Sequence, residues 1–156
     1  MGPPVTAALP RVYLDANVFI TAFEQTGARS DHAWWILEAV EEGEIAGATS
    51  EISLAEVLVK PIERGATDLA SAYDKMIATG PNFEVLPVRR DILTTAAGIR
   101  AGRPSVRLPD ALHIASAMAL GCTFFVTEDR RLRVPEGIKL LGVDPFTLDD
   151  VLKGWE

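Results

Sequence analysis

Residues 108–129, LPDALHIASAMALGCTFFVTED, restrict the fold more than any other stretch of the chain. Pro109 suits the first turn of a helix, where its missing N–H costs little. Asp110 follows at once, where a negative charge meets the positive end of the helix dipole. Ala111, Ile114, Ala115, Met118 and Ala119 recur at helical spacing and predict an apolar stripe. Gly121 predicts the end of the helix. Residues 122–126 then read as a short strand buried on both faces, which needs a sheet covered by helices on each side. Ligands gather outside the carboxyl ends of such strands. Asp129, just past the strand, and Asp110, at the helix start, are therefore candidates for one site.

The remaining chain repeats this alternation. Residues 11–14 predict a first strand that ends at Asp15, and the run to Phe23 predicts a short helix. Asp15 reads equally as a helix cap and as a site residue. A helix is predicted over 30–42, capped by Ser30 or Asp31, with Ala33, Trp34, Ile36, Leu37 and Val40 on its apolar face. Trp34 and Trp35 are adjacent and cannot point the same way. One belongs in the core; the other is a partner contact or a partly covered surface residue. A short strand over 44–48 leads to Thr49 or Ser50 as a cap and to a helix over 52–59, which Pro61 should kink or end. Glu56 in this helix, flanked by apolar residues, lies on a narrow exposed stripe or points into a polar cleft. Helices over 67–78, 89–101 and 147–152 and strands over 83–86 and 138–141 complete the pattern. Strands alternating with helices imply a parallel sheet with crossover connections. The expectation is an α/β protein: one domain over 11–156, three layers (α/β/α) around a central, mainly parallel sheet, after a loose Pro- and Ala-rich lead-in over 1–10.

Composition narrows the function. The chain has 156 residues, 48% of them hydrophobic, which suits one domain with a real core. No apolar run reaches membrane-spanning length, and the first ten residues lack the pattern of a signal peptide. The single cysteine, Cys122, excludes an internal disulfide framework and fits the reducing cytoplasm; it reads as a small core residue. A net charge of −7, from 15 basic and 22 acidic residues, argues against a protein that coats nucleic acid nonspecifically. It does not exclude a nuclease, whose catalytic carboxylates are themselves negative.

Asp15, Glu56, Asp110 and Asp129 all fall near strand ends or helix starts. Brought together they would repel one another unless a cation sat between them, and oxygen-rich sites suit Mg²⁺ and Mn²⁺. Such an ion can activate water and stabilise charge on a phosphate oxygen without a cysteine or histidine nucleophile. His113, three residues after Asp110, reads either as a residue touching the acids or RNA, or as a satisfied core histidine. Arg130 and Arg131, and likewise Arg103 and Arg107, read either as phosphate contacts or as solvated or ion-paired surface residues. Lys60 and Arg64 read as groove-lining or simply exposed.

These pieces resemble PIN-domain ribonucleases, close to the VapC toxins of toxin–antitoxin pairs. The matching stretches are VYLDANVFI around Asp15, Thr49–Ser50 with AEV around Glu56, LPDALHIA around Asp110, and FVTEDRRL around Asp129, in the family's order. The resemblance implies a metal-dependent endoribonuclease cutting single-stranded RNA. Asp15, Glu56, Asp110 and Asp129 would hold one or two Mg²⁺ or Mn²⁺ ions, and Asn17 and Thr127 would support them. Water would attack in line, leaving a 5′-phosphate and a 3′-hydroxyl, with Glu56 completing the site or orienting the water. A homodimer and a small antitoxin that contacts the first helices are implied as well. Glu128 departs from the pattern, standing where such proteins often carry an uncharged polar residue. Two rivals differ in class. One is a phosphatase of the haloacid dehalogenase type, which needs a second Asp where this chain has Asn17. The other is a PIN-like module that binds RNA or protein without cutting.

Overall fold

The computed structural model describes residues 8–155. Five strands pair in the order β3-β2-β1-β4-β5, and every pairing is parallel. They are β1 (Arg11–Leu14), β2 (Ala46–Ser50), β3 (Phe83–Leu86), β4 (Phe124–Val126) and β5 (Lys139–Leu141). Among the described residues, seven helices cover them: α1 (Ala16–Glu24), α2 (Ala28–Glu41), α3 (Glu51–Glu63), α4 (Thr67–Met76), α5 (Arg90–Gly102), α6 (Leu108–Ala119) and α7 (Leu148–Trp155). The architecture is the three-layer α/β/α one.

Side-chain alternation along the strands divides the core in two. Val12 and Leu14 of β1, with Phe124 and Val126 of β4, pack with α1, α2, α3, α4 and α7 on one face. Tyr13 and Phe125 turn to the other face and pack with α5 and α6. Tyr13 stacks on Phe125 with ring centroids 4.9 Å apart. The whole run Ala111–Ala117 of α6 is buried, whereas Met118 and Ala119, expected in its apolar stripe, are exposed. The helix is enclosed on most sides by the sheet and by α5, so the stripe widens to a cylinder.

Several boundaries differ from expectation for identifiable reasons. The second strand lies over Ala46–Ser50, two residues later than predicted. Its sequence, AGATS, carries little β-propensity; packing places it, because α2 lies so close that only a glycine fits at 47. A Cβ there would stand 2.7 Å from Val40 Cγ2 and 3.0 Å from Phe83 Cδ2. Helix α2 begins after Gly27, whose φ of 94° suits glycine. Ser30, expected as its cap, instead donates to the Ala22 carbonyl. Helix α3 runs through Pro61 to Glu63, since a proline one turn from the end removes few helical bonds. Of the expected lead-in, residues 1–7 lie outside the described residues; Pro10 is buried and its carbonyl accepts from Ala46 N–H at 3.0 Å.

The close approach at Gly47 gives a stability prediction. Gly47→Ala should overpack the α2–β2 contact and cost about 1–3 kcal/mol, read as a lower urea midpoint with an unchanged slope. An unchanged midpoint would mean that Val40 and Phe83 move aside freely.

Candidate active site

Asp15 lies at the carboxyl end of β1 and caps α1, its carboxylate accepting from Asn17 N–H at 3.1 Å. Of the two readings of Asp15, the structure shows the cap. It is only 9% exposed, and burial pushes its carboxyl from 3.8 up to about 6; hydrogen bonds from Thr127 and Asn17 and the nearby His113 hold it below where burial alone would put it. Thr127, at the end of β4 and fully buried, also accepts from Asp129 N–H at 3.1 Å. One hydroxyl therefore joins the strand-end acids of β1 and β4. Asn17 contributes its backbone N–H, while its side chain is exposed.

Asp110 enters from the first turn of α6, half-buried. Its carboxyl is raised, first by burial and then by the neighbouring charges of Asp129 and Glu56, with His113 and Arg107 opposing. Asp110, Asp129 and Glu56 thus stand near enough to repel. Asp129 is exposed and shares a cavity wall with Asp110.

His113 is the unexpected centre of the group. It is 3% exposed, and both ring nitrogens are engaged: Nδ1 with the Tyr13 hydroxyl at 2.6 Å and Nε2 with Glu56 Oε1 at 2.5 Å. A proton on Nε2 donated to Glu56, with the Tyr13 hydroxyl donating to Nδ1, satisfies all three groups. His113 is thus a satisfied core histidine, and one of its two partners is the candidate acid Glu56. Sequence reasoning missed Tyr13, whose alternation with Val12 and Leu14 shows only that it faces the other layer. Nearby, Thr49 donates to the Leu14 carbonyl and shares a 2.7 Å hydrogen bond with Ser53, while Ser50 alone caps α3.

Glu128 turns to Arg29 at 3.6 Å, a partner that sequence reasoning also missed. Its Oε1 is buried without a hydrogen-bond partner. The arginines separate: Arg131 lines the cavity with Asp110 and Asp129, whereas Arg130 lies over Gly142. Arg107 precedes α6 and is close enough to Asp110 to favour its charge. Lys60 and Arg64 end α3, and Arg64 lies 4.0 Å from Glu24.

Asp15, Glu56, Asp110 and Asp129 offer hard oxygens, Asp110 is crowded by Asp129 and Glu56, and both His113 nitrogens are already engaged. That chemistry fits a divalent cation such as Mg²⁺ or Mn²⁺. Among the described residues, no three acidic, histidine or cysteine side chains already stand in a geometry that would hold one, so the acids would have to turn inward to do so. Also among them, no helix is long and apolar enough to cross a membrane.

The model of the family described as PIN domain matches residues 12–137. No curated protein matches the sequence at a significant level. Among solved structures, the chain is similar to a toxin–antitoxin complex from Klebsiella pneumoniae, with 20% identity over 85% of this chain and 97% of that one, at a TM-score of 0.61. It is similar to VapBC2 from Rickettsia felis bound to a DNA fragment from its promoter, with 15% identity over 85% and 98% at 0.66. It is also similar to VapC20 from Mycobacterium tuberculosis, a toxin that cleaves the sarcin–ricin loop, with 17% identity over 73% and 86% at 0.59. At these identities the likeness is one of fold.

The buried acid and the bonded histidine can each be tested. The folded carboxyl of Asp15 titrates near 6 rather than 3.8, so the folded state binds the extra proton between those values and loses stability as pH rises through them. In EDTA, Asp15→Asn should match wild type in stability below about pH 4 and exceed it by up to about 3 kcal/mol above pH 7. A variant no more stable at pH 7.5 would refute the burial cost. In a double-mutant cycle, Tyr13→Phe and His113→Leu should couple by about 1 kcal/mol in urea unfolding, whereas additive effects would mean that the pair is not bonded.

Proposed function

The chain belongs to the PIN-domain family, and on that premise we propose that it is a metal-dependent endoribonuclease cutting single-stranded RNA, the toxin of a toxin–antitoxin pair. The observation that carries the reading is the crowding at Asp110, whose carboxyl is raised first by burial and then by the charges of Asp129 and Glu56 beside it. Acids so placed at the carboxyl end of a parallel sheet need a cation, and phosphodiester hydrolysis is chemistry that a cation there supports.

Asp15, Asp110 and Asp129 are the proposed ion ligands. A bound Mg²⁺ or Mn²⁺ would supply an activated water and neutralise charge developing on the phosphate. Thr127 fixes the spacing of Asp15 and Asp129 through its two hydrogen bonds. In this reading Glu56 orients the attacking water and takes its proton; its hydrogen bond with His113 supports a fixed orientation for it. Arg107 and Arg131 flank the acids, where guanidinium groups favour a phosphate. In-line attack would leave a 5′-phosphate and a 3′-hydroxyl.

The antitoxin is proposed to dock in the apolar groove of about 810 Å³ between α1, α2 and α4, where Phe19, Phe23, Trp34, Met76 and Phe83 meet. Trp34 fixes one wall by donating to the Ala22 carbonyl at 2.7 Å, while its neighbour Trp35 is 54% exposed. The solved toxin–antitoxin relatives support such a partner. A homodimer is also proposed; the exposed Val59 and Ile62 of α3 support an apolar contact between copies.

Purified protein free of any partner should cut a labelled RNA pool with Mn²⁺ or Mg²⁺ and not in EDTA. Asp15→Asn should abolish both cutting and calorimetric Mn²⁺ binding. Glu56→Gln should keep Mn²⁺ binding and lower kcat by about 10²–10⁴-fold. Equal cutting by wild type and Asp15→Asn would identify a contaminant. RNA binding without cutting, in folded protein that takes up Mn²⁺, would move the chain to the binding-module reading.

A further inference from the structure

The loop between α5 and α6 faces the loop after β4 across a cavity of about 410 Å³, whose lining is unexpected in so acidic a chain. Arg103 comes from the first loop; Arg131 and Arg133 come from the second. The loops are tied together, Arg103 Nη1 donating to the Arg133 carbonyl at 3.4 Å. Within the second loop, Arg131 N–H donates to Asp129 Oδ1 at 3.0 Å, a local turn that keeps Arg131 beside that acid. The three guanidinium groups make no ion pair with a carboxylate among the described residues, although the chain carries 22 acids against 15 bases. The carboxylates on that wall, Asp110 and Asp129, leave these guanidinium groups unpaired, and a phosphodiester is the anion whose geometry a cluster of arginines matches best.

The rest of the wall says what accompanies the phosphate. Val106 and Leu132, both half-buried, give the cavity an apolar side. Its volume lies within the range of pockets that take one small organic group. Asp110 and Asp129 stand on the same wall, so whatever fills the cavity lies directly beside the proposed scissile position.

We infer that this cavity is a subsite for one unpaired nucleotide of the RNA strand, adjacent to the phosphodiester at the acids. Arg103, Arg131 and Arg133 hold its phosphate, and Val106 and Leu132 receive its sugar and base. The inference rests on the nuclease reading of Asp110 and Asp129 and adds a reason for preferring single strands. A base can enter the cavity only after leaving its stack, which costs a few kcal/mol in a duplex and much less in a loop or free strand. Arg130, turned over Gly142, takes no part.

The test uses the full chain and a short fluorescent single-stranded RNA in EDTA, where binding is read without cutting. R131A/R133A should weaken binding by about tenfold or more and lower the salt slope by about 0.7 for each phosphate left without its arginine. R130A should bind as wild type does. An abasic residue scanned along the strand should weaken wild-type binding at one position beside the cut and have no added effect in R131A/R133A. Matching urea midpoints confirm that the variants are folded. If R131A/R133A keeps the wild-type affinity and salt slope while wild type cuts RNA with Mn²⁺, the subsite is wrong and the nuclease reading survives. A wild type that neither binds nor cuts any RNA overturns the nuclease reading first. Wild-type affinity equal for duplex and single strand, with no sensitive abasic position, overturns the base-receiving half of the proposal.

Discussion

A carboxylate moved from water into a protein interior resists ionisation, and Asp15 sits where that resistance is strong. Its backbone is fixed by β1, its side chain caps α1, and little water reaches it. Thr127 and the Asn17 N–H offset only part of the cost, since the carboxyl still titrates near 6. The remaining acids then arrive from three other segments, each adding negative charge to a place that already disfavours it. A fold optimised for stability alone would replace Asp15 by an amide. In the proposed reading a cation offsets this burial, which would make the costly residue one that the proposed chemistry uses.

The two sheet faces divide the work. The larger core, with α1, α2, α3, α4 and α7, holds β1 and β4 in place and so sets the distance between Asp15 and Asp129. The smaller core carries α5 and α6 and contains a polar path from the sheet to the cleft: Tyr13, His113 and Glu56 in a line of hydrogen bonds. Glu56 reaches the cleft from α3 with its side chain partly exposed. A histidine with both nitrogens occupied has one ring orientation, and through it the rigidity of the sheet is passed to an acid that water would otherwise leave free to turn. Burying a polar residue there gives geometric precision, not stability, in return.

The layer order and the strand-end acids are legible in the sequence because both depend on local signals. Hydrophobic alternation places β1, β4 and α6 within a few residues, and Asp15, Asp110 and Asp129 announce themselves by following strands or opening helices. The features that escape depend on contacts between distant segments. Tyr13 and His113 are 100 residues apart, and Glu56 and His113 are 57 apart. Neither spacing has a period. The displacement of β2 by two residues has the same origin, since a strand of small residues is placed by what packs on Gly47 and not by its own propensity. Arg29 is invisible for a related reason: nothing near it in the chain marks it as the counter-charge of Glu128.

Net charge is the least informative global property, and the structure explains why. A value of −7 averages an acidic body with a basic rim of Arg103, Arg107, Arg131 and Arg133 beside the carboxylates. Screening limits each charge to about 8–10 Å at physiological salt, so an approaching strand feels the rim and the acids, not the sum. Acids elsewhere on the surface act over the same short range and discourage nucleic acid from binding beside them. In the proposed reading, a negative body with a positive margin at the cleft lowers nonspecific affinity while the arginines there hold a phosphate. An acidic body also remains free to attract a basic protein partner. In the proposed reading the same charge distribution serves two ligands of opposite sign on two different surfaces.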